Sequence, residues 1–165
     1  MLIITGAAAA GKSTVCGALA DNPRLLALDG DVLAGGASAV SNGRRDYEAF
    51  WRYLLLIAAE VHDNGLVPAY ACVCLPSQVM ALPIPSATLH FLALVSDEET
   101  VPRRICDRSV GAPSIDLDRH AALDAQLRHS TVPPPHTFAT LDTRELTRAQ
   151  TIAAGVEWAS MTVSP

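Results

Sequence analysis

The stretch Gly6-Ala7-Ala8-Ala9-Ala10-Gly11-Lys12-Ser13, directly behind the apolar run Leu2-Ile3-Ile4, constrains this chain more than any other. It satisfies the glycine-rich phosphate-loop pattern G-x-x-x-x-G-K-[ST] at every defined position. The run before it reads as a short buried strand, and Val15 and Leu19 continue a helix that opens at Lys12. A strand–loop–helix of this kind closes backbone N–H groups around a polyphosphate, with glycines where a Cβ would block the approach. The four alanines keep the loop compact. The Lys12 ammonium can reach β- and γ-phosphates, and the Ser13 hydroxyl can ligate Mg²⁺. The helix N-terminus, which includes Thr14, adds partial positive charge beneath them. The sequence thus predicts a nucleotide-phosphate site made by Gly6, Ala7, Ala8, Ala9, Ala10, Gly11, Lys12, Ser13 and Thr14. A Gly/Ala turn that binds nothing is the competing reading, and the flanking strand and helix argue against it.

Size and charge narrow the class. The 165 residues suit one domain with a core around a five-stranded sheet. Half of them are hydrophobic and 18% charged, so the chain reads as globular. A net charge of −5, with no Lys/Arg-rich run, argues against a nucleic-acid partner. No apolar stretch reaches the roughly 18 residues of a membrane span, and the N-terminus lacks the basic region of a signal peptide. Cys16, Cys72, Cys74 and Cys106 form no Cys-x-x-Cys pair. Beside a nucleotide site they fit a reduced, cytoplasmic protein.

Beyond the loop, apolar runs and helical patterns alternate. Leu25 to Leu28 reads as a second strand, ending in Asp29-Gly30-Asp31 at the edge where α/β sheets bind ligands. Transfer to an alcohol needs a carboxylate for the hydroxyl proton and another to help hold Mg²⁺. Asp31 is the candidate base and Asp29 the candidate metal residue; the plainer alternative is a turn with Asp31 capping a helix from about Val32. Residues 32–46 read as a loosely specified substrate segment. Asp46 then caps a helix carrying Phe50, Tyr53, Leu54, Ile57 and Val61, which ends at Asn64-Gly65. Arg44 and Arg45 at its entrance are candidate acceptor-binding residues, with a solvated face as the alternative. Tyr47 and Trp51 read as packing.

Leu66 to Leu75 is the third strand, with Cys72 and Cys74 on one face as buried thiols. No Asp closes it, so the metal depends on Ser13 and Asp29. Gln78, just beyond, is a candidate reader of a substrate hydroxyl. Thr88 to Val95 is the fourth strand. A helix from about Thr100 follows and places Arg104 and Arg108 four apart on one face, able to neutralise charge on a transferring phosphoryl group, with a surface Arg pair near a helix C-terminus as the alternative. Residues 104–120 read as a lid that excludes water. Arg119 to His129 forms a further helix, in which His120 and His129 read as isolated. Thr137 to Leu141 is the fifth strand, and Thr147-x-x-Gln150 is a capping box for the last helix. The loop from Asp142 to Thr147 is a candidate adenine site. The alternation predicts a parallel sheet covered on both faces.

With Gly6 to Ser13, Asp29-Gly30-Asp31 and Arg104-x-x-x-Arg108 placed, the chain resembles the small-molecule P-loop kinases. These include gluconate kinase, shikimate kinase, adenylylsulfate kinase and chloramphenicol phosphotransferase. The resemblance implies an α/β, three-layer P-loop NTPase fold with a five-stranded parallel sheet of order 2-3-1-4-5 and helices on both faces. It also implies ATP and Mg²⁺ as cofactors, Asp29 serving the metal shell, Asp31 the acceptor hydroxyl, and lid arginines at adenine and phosphates. Tyr70 to Leu75 resembles the third strand of gluconate kinases. Pro76-Ser77-Gln78-Val79 stands where those enzymes carry basic residues, which points to a less anionic acceptor. The expected activity is γ-phosphoryl transfer to a hydroxyl of a nucleoside, sugar or amino-sugar, antibiotic-like molecule, by a monomer or homodimer. A nucleoside monophosphate kinase ranks second, and a non-transferring ATPase or nucleotide switch third.

Overall fold

The computed structural model describes residues 1–36, 40, 41, 44, 45, 47–83, 87–97, 99–101, 104 and 116–163. Five strands form one parallel sheet: β1 (Leu2–Gly6), β2 (Leu25–Asp29), β5 (Val67–Ala71), β6 (His90–Val95) and β7 (Thr137–Asp142). Their spatial order is β2-β5-β1-β6-β7, the expected 2-3-1-4-5 when the five are numbered along the chain. The remaining strands, β3 (Val40–Ser41) and β4 (Arg44–Arg45), pair antiparallel as a separate ribbon. The described helices are α1 (Lys12–Leu19), α2 (Gly30–Gly36), α3 (Tyr47–Asp63), α4 (Pro76–Met80), α5 (Leu117–Arg128) and α6 (Arg148–Thr162).

Alternation along β1 builds the layers. Leu2 and Ile4 face Val15 and Leu19 of α1 and Ala159 of α6. Ile3 faces the other way, into Trp51, Leu54 and Ala58 of α3. All three β1 side chains are fully buried, each worth ~1.5–3 kcal/mol relative to exposure. α5 adds Leu127 against Ala93 and Val95 of β6. Both faces are covered.

Pro68 lies inside a central strand, where a missing N–H normally costs a ladder bond. Here Val67 N–H bonds Arg24 O on the β2 side and Cys72 N–H bonds Ile4 O on the β1 side. Successive N–H groups alternate, so Pro68 lacks its donor toward β1, where pairing begins only at Ala69. The third strand is shorter than expected for the same region: it ends at Ala71, and Pro76 then opens α4 as its first helical residue. No helix among the described residues is long and apolar enough to cross a membrane.

Candidate active site

Gly6 turns the chain out of β1 with φ +153°, and a Cβ there would strike the Leu94 carbonyl on β6. Ala9 holds φ 59°, a left-handed conformation that costs a non-glycine residue about 1–2 kcal/mol. Lys12 is folded back into this loop and only 6% exposed. Its Nζ donates to Gly6 O at 3.0 Å and Ala7 O at 2.8 Å. The loop is thus wrapped around its own ammonium, which keeps a positive charge at the cradle. Ser13 stands exposed in the first turn of α1, beside half-buried Thr14.

Two strands away, β2 delivers the acidic pair. Asp29 Oδ1 accepts from Asp31 N–H at 2.9 Å, so Asp29 caps α2 and exposed Asp31 lies in its first turn. The plainer alternative, in which Asp31 caps a helix from about Val32, is not what forms: Asp29 is the capping residue. The helix begins at Gly30, two residues before Val32, and Gly30 lies so close to the neighbouring strand end that a Cβ would strike Cys72 Sγ and lie 2.9 Å from the Ala71 carbonyl.

The register aligns the strand ends. Asp29 pairs with Ala71, and Ala71 with Ile4. Two strand spacings, about 10 Å, separate β2 from β1. Between them sits the Cys72 thiol, which burial pushes well above its usual range. Cys74, Asp31 and Asp29 add to that shift, and Lys12 opposes it. The Lys12 loop and the acidic pair therefore leave the sheet at the same C-terminal edge.

The remaining residues singled out from the sequence divide. Arg104 is half-buried and donates to Thr143 Oγ1 at 3.1 Å and to the Thr143 carbonyl. Thr143 itself bonds Val95 O through its N–H, so the start of the expected lid is tied to the loop after β7. Asp142 pairs with Arg128 at 3.2 Å and Arg144 at 2.9 Å. Partial burial pushes its carboxyl upward, but the bonds from the two arginines outweigh that and hold it below the usual range. Its carboxylate therefore positions two guanidiniums at the expected adenine loop. Gln78 Oε1 accepts from Leu75 N–H at 2.9 Å in the capping box of α4. That leaves Nε2 as the part of Gln78 outside this bond. Arg44 and Arg45 form β4, against β3. Arg108, Asp46 and Cys106 lie outside the described residues, as does most of the lid.

The structure adds residues that the sequence reading set aside. His120, from α5, accepts from Ala8 N–H in the phosphate loop, with Nδ1 at 3.2 Å. Its partner is 112 positions away, so no local pattern announces it. Asp124 accepts from Ser96 N–H at 2.8 Å and pairs with Arg128 at 3.0 Å, while Arg128 also donates to the Ser96 carbonyl. These bonds fasten α5 to the end of β6; the Asp124/Arg128 spacing of four was the legible half. Tyr47, read as packing, is 40% exposed and carries the Arg119 guanidinium 6.0 Å from its ring centroid.

No protein-family model matches the sequence, and no curated protein sequence matches it. Solved structures do. A sugar kinase from a Janibacter species superposes with a TM-score of 0.69 at 19% identity, over 96% of this chain and 93% of that one. A presumed kinase from Chloroflexus aurantiacus gives 0.66 at 22% identity, over 99% and 97%. A gluconokinase from Sinorhizobium meliloti gives 0.61 at 18% identity, over 98% and 94%. The fold is the one these three solved structures share. Asp29 closes β2, two strands from the end of β1 where the Gly6 to Ser13 loop begins, and Asp31 follows in α2.

Proposed function

We propose that this protein is an ATP- and Mg²⁺-dependent phosphotransferase whose acceptor is a hydroxyl of a small molecule. The observation that carries the reading is the register that sets the end of β2, with Asp29 capping the turn that bears Asp31, level with the end of β1 from which the Lys12 loop departs. The fold shared with a sugar kinase and a gluconokinase supports it.

The donor set fits the cofactors. Mg²⁺ takes few protein ligands, keeps several waters and shares phosphate oxygens. Ser13 is exposed at the loop, and Asp29 spends only Oδ1 on its cap. These two would hold the ion, which when bound supplies charge neutralisation on the phosphates. Lys12 trades its loop carbonyls for phosphate oxygens, and the loop amides orient the chain of phosphates. Asp31, exposed and uncommitted by the Asp29 cap, orients the acceptor hydroxyl and takes its proton as the oxygen attacks. Arg104, held at Thr143 just beyond β7, would supply positive charge to the nucleotide from that side.

The acceptor class follows from the side of the site left for it. Pro76-Ser77-Gln78-Val79 supplies no cation after β5, which favours a neutral sugar, nucleoside or amino-sugar over a sugar acid. Transfer from γ-labelled ATP to a panel of hydroxyl compounds, sugar acids and nucleoside monophosphates tests the reading. A labelled phosphomonoester on a neutral hydroxyl compound supports it. Label on a monophosphate makes the protein a nucleotide kinase, and release of free phosphate alone, whatever is added, overturns the transferase.

A further inference from the structure

We infer that His120 belongs to the nucleotide site: unliganded, its neutral ring occupies the Ala8 amide, and bound phosphate displaces it and turns it into an imidazolium facing the phosphates. The inference rests on the P-loop being a nucleotide site and goes beyond it in naming a residue outside the motif.

The geometry is specific. A loop amide normally reserved for an anion instead donates to an imidazole nitrogen 3.2 Å away. For Nδ1 to accept, the ring must be neutral with its proton on Nε2. The ring reaches the loop from a helix fastened to the end of β6, where Asp124 and Arg128 bond Ser96. A phosphate entering the cradle and His120 therefore compete for the same N–H.

The surroundings explain both states. In the free protein, burial holds the His120 pKa below its ordinary value, and Lys12 and Arg119 push the same way; Asp116 and Asp31 act in the opposite direction. Loss of the Ala8 bond removes the contact that favours the neutral ring. Arrival of a phosphate, which also draws Lys12 out of the loop, supplies an anion that favours the charged one. The ring then takes one proton from solvent at Nδ1, and nucleotide binding becomes linked to proton uptake. Each unit by which bound phosphate raises this pKa makes binding about tenfold tighter at a pH below both values than at a pH above both.

Calorimetry with Mg·ATP tests this on the intact chain, in two buffers of different ionisation enthalpy at pH 7, with Kd also measured at pH 6 and 8. The wild type should take up a substantial fraction of a proton and bind more tightly at pH 6. His120→Gln keeps an acceptor for Ala8 N–H but cannot become a cation; it should bind with little proton uptake and a flattened pH profile. Proton-detected titration of the wild-type imidazole gives a second readout, in which the His120 pKa should rise when Mg·ATP is present. Equal uptake in wild type and His120→Gln, or an unmoved imidazole pKa, overturns the assignment while leaving the nucleotide site standing. Failure of the wild type to bind Mg·ATP overturns both.

Discussion

Asp29 Oδ1 accepts the Asp31 N–H at 2.9 Å, which gives the two carboxylates of one short turn separate tasks. Asp29 holds the start of α2 through Oδ1, while Asp31 lies exposed in the first turn. Removing the cap with Asp29→Ala should cost about 1 kcal/mol in a urea unfolding curve. Asp29→Asn keeps an oxygen for the cap and should be nearly neutral in that measurement, while raising the Mg²⁺ concentration needed for half-maximal transfer.

Lys12→Met keeps the buried stem and removes the ammonium. The carbonyls of Gly6 and Ala7 then lose a charged donor, and each such bond is worth roughly 1.5–3 kcal/mol. Two outcomes are expected: a lower unfolding midpoint and Mg·ATP binding weakened at least about tenfold. Calorimetry and denaturation on the same preparation separate the two effects.

Ala9 sits at φ 59° inside the loop. Glycine adopts that conformation without the Cβ penalty, so Ala9→Gly should stabilise the fold by about 1 kcal/mol, net of the extra freedom glycine has when unfolded. Chemical denaturation monitored by the fluorescence of Trp51 and Trp158 would show the midpoint move upward. Destabilisation would mean that the loop relaxes to another conformation.

The opposite edge of the sheet sets a pH dependence. His90 shares a hydrogen bond with Thr137 at 2.9 Å, and burial lowers its pKa, with the N-terminal amino group and His136 pushing the same way. The unfolded chain takes up that proton near the ordinary histidine value and the folded chain only at lower pH. Between the two, the unfolded state binds more protons. The His90 contribution is therefore intact above the unfolded pKa and lost as pH falls through the folded one. The melting temperature should drop from pH 7.5 to 5.5, and His90→Gln should make the drop smaller.

Much of this was legible because the decisive signals are local. Leu2 to Ile4, Leu25 to Leu28 and Phe91 to Val95 are apolar runs bounded by breakers, and Gly6 to Ser13 carries its own spacing. Smaller elements escaped. β3 and β4 have two residues each, too few to show an alternation. α4 is five residues long, and its signals were Pro76 at the start and Gln78 as third residue. Functional contacts across the chain were beyond any local pattern. His120 meets Ala8, Arg104 meets Thr143 and Asp124 meets Ser96 only because the sheet order brings α5 and the loop after β7 to the P-loop side.

The central claim is that Asp31 acts on an acceptor hydroxyl opposite a nucleotide held by Lys12. It is tested most directly by comparing wild type and Asp31→Asn in single-turnover transfer from labelled ATP, with Mg·ATP affinity measured alongside. The account predicts a rate lower by about 10²–10⁴-fold with affinity changed by less than about threefold. Transfer at the wild-type rate in Asp31→Asn would contradict it.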